Sequence, residues 1–241
     1  MSYTWNWAIF GAQSPEGTGT YFAIMLRGLL TTVEVAVLAW MIALTAGIAI
    51  GLCRTLPGRV NRAVGTAWVE LFRNVPLLVQ LFLWYFVLPE VVPERFGDWL
   101  KSLQDAPFAI AVVGIGLFTS ARVAEQVRAA LGALPRGQLA AGKALGLTTL
   151  QTYRHVLLPM ALRIMLPPLT GEMVSLVKNT SVALTIGLLE LTARARAMQE
   201  FSFQVFEAFT AATVGYVIVN LAVTIAMRAL ERRVRVPGYV T

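Results

Sequence analysis

The sequence predicts an all-α, polytopic membrane protein with about five transmembrane helices, organised as one domain over residues 1–241. Three observations carry that reading. Hydrophobic residues make up 57% of the chain and charged residues 14%, with a mean hydropathy of +0.67, whereas a soluble domain carries about 25% charged residues. Apolar runs long enough to span recur along the chain, about 20 residues being sufficient for a helix. The basic residues cluster in short loops between those runs. Topology explains that placement better than nucleic-acid binding does, despite the net charge of +7.

Residues 1–20 read as an interfacial lead-in, with Trp5, Trp7 and Phe10 as amphipathic anchors for the headgroup zone. No basic region precedes their apolar residues and no cleavage site is evident, so the segment is expected to be retained. The first span is Gly28 to Leu52, with Glu34 as its only charge. Arg54, Arg59 and Arg62 follow around Pro57-Gly58. The second span runs from Ala63 to Leu88, and Pro76 within ELFRNVPLLVQ should bend or interrupt it. An acidic loop, Pro89 to Pro107, leads into the third span, Phe108 to Leu134. A basic loop, 135–168, comes next. The fourth span runs from Pro167-Pro168 to Leu191 and the fifth from Ala208 to Leu230, joined by Thr192 to Glu207.

Loops one and three and the tail ERRVRVPGYVT are basic, while loop two is acidic. The positive-inside rule therefore places the N-terminus outside and the C-terminus in the cytoplasm. Cys53 and His155 are the only residues of their types. An intrachain disulfide, a thiolate cluster and a His-based zinc site are excluded, and little general acid–base chemistry remains for an enzyme.

The basic loop holds Arg136, Lys143, Arg154, His155 and Arg163 and no acid. Ala140–Gly146 carries helix-favouring residues, and Gly146 can end that helix in a left-handed conformation. LTTLQTYRHVLLP restarts an amphipathic segment that Pro159 is expected to close. Gly137 to Ala144 nearly matches a phosphate loop, but Ala144 lacks the hydroxyl that would hold Mg²⁺ and no buried strand leads into it.

Inside the spans, ionisable groups are costly and tend to face a cavity. Arg122 is a candidate for contact with an anionic substrate, with Glu125 orienting a neighbouring arginine; pairing of Arg122, Glu125 and Arg128 among themselves is the alternative. Arg73, Asn74 and Pro76 are candidates for a gate where broken backbone meets a cavity, or for a plain kinked helix start. Lys178, Asn179 and Thr180 lie mid-span; Lys178 either pairs with Glu172 or Glu34 or lines the path.

The loop pattern GQ-x-x-A-x-x-A-L-G-L followed by V-x-L-P-x-A resembles the cytoplasmic motif of permease subunits in bacterial ABC importers. ELFRNVPLLVQ and LVKNTSVA narrow the resemblance to the polar amino-acid permeases. The opening WNW, with WYFVLPE and ARVAEQVRAAL, is most similar to the glutamate/aspartate permeases. The resemblance covers nearly the whole chain. It implies a type I importer permease fold in the bacterial inner membrane, with a cytoplasmic coupling helix. Gln138, Ala140, Ala141, Gly142, Lys143, Gly146, Leu158 and Pro159 would then engage the ATPase. Family members usually place Glu, Ala, Ala where this chain has Ala140, Ala141 and Gly142, so a salt bridge from position 140 to the ATPase is not expected here.

The implied partners are a homologous second permease, two cytoplasmic ATPase subunits and a periplasmic solute-binding protein. No cofactor is expected on this chain, since ATP and Mg²⁺ would sit on the ATPase. ATP binding would draw the loops together and switch the pore between inward- and outward-facing states. An import permease for glutamine or a basic amino acid is the nearest alternative. An independent secondary transporter is a further one, although many show an internal repeat that is not seen here.

Overall fold

The computed structural model describes residues 3–15, 17, 19–56, 58–135 and 137–234. Pro57, Arg136 and the basic tail from 235 onward, all part of the reading above, lie outside the described residues.

Nine α-helices order the described chain. The first, α1 (Tyr21–Thr55), has Arg27, Glu34 and Arg54 as its only charges and is otherwise apolar on every side, as suits a membrane helix. It extends past both ends of the expected 28–52 span. Next come α2 (Arg59–Asn74) and α3 (Leu77–Val91), which meet at a bend of 101°. The cause is local. Pro76 has no N–H and pushes the residue before it out of the helical region, and Val75 is accordingly extended, at φ −99° and ψ 127°. The expected span 63–88 is interrupted there, and its bounds widen to 59–91. Its first part is an amphipathic helix burying Gly65, Val69 and Phe72 on one face.

The acidic loop folds into α4 (Glu94–Ser102), followed by α5 (Ala106–Gly132) and a short α6 (Gly137–Ala144). The seventh helix, α7 (Thr149–Ile186), corrects a second boundary, since it begins well before Pro167. Pro159 does not close it. A π-helical turn at Tyr153–Leu157 precedes that proline, and such turns absorb the bonds a proline removes. Pro167 and Pro168 lie inside the helix. Only 135–148 of the expected 135–168 loop is thus a connection. The fourth connection folds into α8 (Leu191–Ser202), and α9 (Val205–Val234) completes the described chain.

By length and hydropathy α1, α5, α7 and α9 can each cross a membrane, and the bent α2–α3 pair counts as a fifth span if taken as one. The chain is an α-helical multi-pass membrane protein.

Contacts divide it into two units. One comprises Met1–Trp40, Pro76–Gly116 and Ser175–Ala222. In it Tyr21, Met25, Leu191, Ala195, Met198, Ala208 and Ala212 form an apolar cluster. Glu190 caps α8 by accepting from the N–H groups of Thr192 and Ala193, at 3.0 and 2.8 Å, and from the Tyr216 hydroxyl at 2.6 Å. Burial pushes its carboxyl up from the ordinary range, against these hydrogen bonds. The lead-in is strapped down by Glu207, which accepts from the Tyr3 hydroxyl at 2.5 Å and from the Asn6 N–H at 2.6 Å. Trp5 and Trp7 are exposed and stack at 5.1 Å, in keeping with an interfacial role.

The other unit comprises Met41–Val75, Leu117–Val174 and Val223–Thr241. A close helix contact within it uses Gly47 and Gly51, four residues apart on α1, which lie directly against Val123 and Val127 of α5. Small residues at this spacing let helix backbones approach closely in a membrane. A Cβ at Gly47 would sit 2.5 Å from the Val123 Cβ, and one at Gly51 2.6 Å from the Val127 Cβ. Gly47→Val or Gly51→Val should each cost about 1–3 kcal/mol through overpacking. Thermal unfolding of the purified protein in detergent should show a lower midpoint for both, with Gly47→Ala milder than Gly47→Val.

Candidate functional site

One face of α5 carries Phe118, Arg122, Glu125 and Gln126, and Ala129 at helical spacing. Glu125 is the centre of charge. Its side chain is 20% exposed. It accepts from Arg54, at the end of α1, in a direct ion pair. It also accepts from Nε and Nη2 of Arg128, one turn along, at 3.0 and 2.8 Å. Arg73, at the end of α2, is 3.8 Å away. A single carboxylate therefore ties three helix segments through three guanidinium groups.

Glu172 of α7 makes a second centre. One oxygen lies 3.4 Å from the Gln126 side-chain nitrogen, and the other 3.7 Å from an Arg122 nitrogen. The second oxygen is buried and has no hydrogen-bond partner among the described residues. Arg122 also sits over the Phe118 ring, at 5.3 Å from its centroid. These residues, with Phe72 and Arg73, line a cavity of about 560 Å³. Arg73 and Arg122 are about half-exposed within it. Two half-exposed guanidinium groups thus face this cavity, and guanidinium forks match carboxylate oxygens.

The structure thus brings Arg73, Arg122 and Glu125 together. Arg122 pairs with Glu172 and not with its own helix neighbours, while Glu125 and Arg128 do pair. Asn74 is exposed and donates to Glu70 at 2.7 Å, one turn back. Pro76 forms the bend and precedes α3. Lys178, Asn179 and Thr180 belong to the other unit, where α7 tightens into a 3₁₀ turn at Thr180–Ile186. Thr180 is buried and donates to the Val177 carbonyl at 2.8 Å. Lys178 is exposed and forms no ion pair among the described residues, so pairing with Glu172 or Glu34 is not found. Sequence reasoning missed Arg54 and Gln126 as members of the cluster. Arg54 looked like a loop charge, and nothing local signals that Glu125 captures it.

The expected knob is present. In α6, Gly142 packs against Thr152, where a Cβ would meet the Thr152 methyl at 2.5 Å. The helix ends as anticipated. Gly146 is left-handed, at φ +80°. The Leu147 N–H reaches the Gly142 carbonyl at 3.1 Å and the Gly146 N–H the Lys143 carbonyl at 3.0 Å. Those two bonds define a Schellman stop. Thr148 then starts α7 with a capping box closed by Gln151. Ala140, Ala141, Lys143 and Pro159 are exposed or nearly so, Gln138 and Leu158 half-buried. Leu145 and Leu150 are 81% and 73% exposed, an apolar pair at the tip suited to a partner surface. The near-match to a phosphate loop is helical from Gly137 to Ala144.

Replacing Glu125 by Gln leaves Arg54 and Arg128 without their counter-charge. Because the site is partly exposed, the loss should fall below the roughly 3–5 kcal/mol of a fully buried pair, at about 2 kcal/mol. A calorimetric scan should show that loss for Glu125→Gln and a smaller one for Glu125→Asp.

Residues 43–236 match the family model described as binding-protein-dependent transport system inner membrane component. The glutamate/aspartate import permease protein GltJ of Escherichia coli (strain K12) is 47% identical over 99% of this chain and 98% of its own length. The glutamine transport system permease protein GlnP of Escherichia coli (strain K12) is 35% identical over 88% of this chain and 94% of its own. A crystal structure of an amino acid ABC transporter with histidines superposes with a TM-score of 0.75 and 29% identity, covering 88% of this chain and 95% of that one. The chain belongs to the binding-protein-dependent transport system inner membrane components, as an amino-acid ABC importer permease whose ATPase is a separate chain.

Proposed function

We propose that this permease subunit carries an acidic amino acid, glutamate or aspartate, across the bacterial inner membrane. The observation that carries the reading is the near full-length 47% identity to a glutamate/aspartate permease, above the 35% to a glutamine permease. The cavity chemistry supports it. Arg73 and Arg122, each about half-exposed, offer two cationic forks for two carboxylates. Lys178, exposed in a membrane-spanning helix, is a further cation along the path.

In this account a periplasmic binding protein delivers the substrate, and a homologous second permease completes the pore. Two cytoplasmic ATPase subunits bind α6 and the exposed residues around it, with Gln138, Ala140, Ala141, Gly142, Lys143, Gly146, Leu158 and Pro159 as the engaged stretch. ATP on those subunits supplies the energy. This chain's part is mechanical, with α6 passing displacement into α7 through the Gly142–Thr152 contact. The N-terminus lies on the periplasmic side and the C-terminus in the cytoplasm, in line with the loop charges.

The test is ATP-driven uptake of labelled glutamate by the reconstituted complex with its binding protein. Unlabelled glutamate and aspartate should compete, and glutamine and arginine should not. Arg122→Gln and Lys178→Met should each lower the rate at least about tenfold, the effect of roughly 1.4 kcal/mol. Equal competition by glutamine would refute the acidic assignment, and wild-type rates in both variants would refute the site.

A further inference from the structure

A separate cavity of about 470 Å³ in the same unit is lined by Arg54, Arg62, Thr66, Arg128, Tyr153 and Leu157, among others. Among the described residues no carboxylate lines it. The acid that reaches its arginines is Glu125, already committed to Arg54 and Arg128 and approached by Arg73. Arg62 is exposed and has no ion-pair partner among the described residues. Three guanidinium groups thus line the cavity against the one carboxylate that reaches them, and the cavity is left cationic.

Its walls are built, not incidental. Arg54 is only 12% exposed, and its stem lies flat on α2 because Gly65 has no side chain; a Cβ there would meet the Arg54 Cγ at 2.5 Å. The Tyr153 hydroxyl donates to the Thr55 carbonyl at 2.9 Å, fixing the last turn of α1 beside the cavity. The depth is also informative. Arg54 lies in the last turn of α1, and Gly132 is the last residue of α5. The cavity therefore sits beside the ends of two candidate spans, where a bilayer's headgroups are expected. Basic pockets between membrane helices on the cytoplasmic side hold anionic headgroups, and guanidinium forks match phosphate oxygens.

We propose that Arg54, Arg62 and Arg128 form a phosphate-binding site, filled by the headgroup phosphate of an anionic phospholipid or by free phosphate. The site is distinct from the proposed substrate cavity, whose cationic forks are Arg73 and Arg122, so the two stand or fall separately.

The purified full-length chain in detergent is titrated with phosphatidylglycerol and phosphatidylcholine and followed by native mass spectrometry. In a second arm inorganic phosphate alone is titrated calorimetrically. Phosphatidylglycerol should be retained at least about tenfold better than phosphatidylcholine, and Arg62→Gln should cut its affinity roughly fivefold. Arg62→Lys, which keeps the charge but loses the fork, should fall between. Binding of inorganic phosphate that depends on Arg62, without lipid preference, also supports the site and assigns it to the free ion. Because Arg62 is exposed and outside any ion pair among the described residues, its variants should fold, and unchanged thermal melting will confirm it. Equal retention of both lipids with no phosphate binding overturns the proposal. So does anion binding unchanged in Arg62→Gln, including the case in which that variant instead loses the ATPase subunit.

Discussion

The Glu125 carboxylate faces guanidinium groups from three helix segments, and a partly buried anion is stable there only because each cation offsets part of its desolvation. The geometry is reciprocal. Without the carboxylate, Arg54, Arg73 and Arg128 would repel one another. With it, the end of α1, the end of α2 and the last third of α5 are held to one point. Glycine contacts bring α1 and α5 close enough for the pairing, since Gly51 and Gly47, one and two turns before Arg54, seat Val127 and Val123. Apolar packing supplies proximity, and the ion cluster supplies register.

Two cavities flank that cluster, and their chemistry differs because the single acid is placed asymmetrically. On one side Glu125 and Glu172 both line the wall beside Arg73 and Arg122, leaving a site of mixed charge. On the other no carboxylate of the described residues lines the wall, and Arg62 adds a charge that no ion pair among the described residues offsets. A polar path that must release its ligand suits the mixed cavity, whereas a lasting anion suits the cationic one.

Much of this was legible in the sequence, for physical reasons. Long apolar runs betray membrane helices by length alone, so α5 and α9 were placed within a few residues, and α1 was found but drawn short. Gly146 was identified as a helix stop because few residues tolerate a left-handed conformation, and the structure has φ +80° there. The boundaries of α7 differ because Pro159, Pro167 and Pro168 look like breakers, yet a π turn precedes Pro159 and the helix continues through Pro167 and Pro168. The break at Pro76 was foreseen, but not that its upstream half is an amphipathic helix turned through 101°. Within the site, Arg122 and Glu125 stood out as charges in a span. Arg54 did not, because its role depends on a partner 71 positions away, a contact that no local pattern encodes.

In the proposed mechanism this chain transmits motion that the separate ATPase chain generates. Its α6 ends in a Schellman stop beside an apolar tip and packs on the long α7 through a glycine contact, a form suited to a lever. The most direct test compares labelled glutamate uptake in liposomes holding the permease subunits alone with uptake in liposomes that also hold the ATPase, binding protein and ATP. Accumulation only in the complete, ATP-supplied system is the predicted result. Sustained accumulation by the permease subunits without an ATPase would contradict the account.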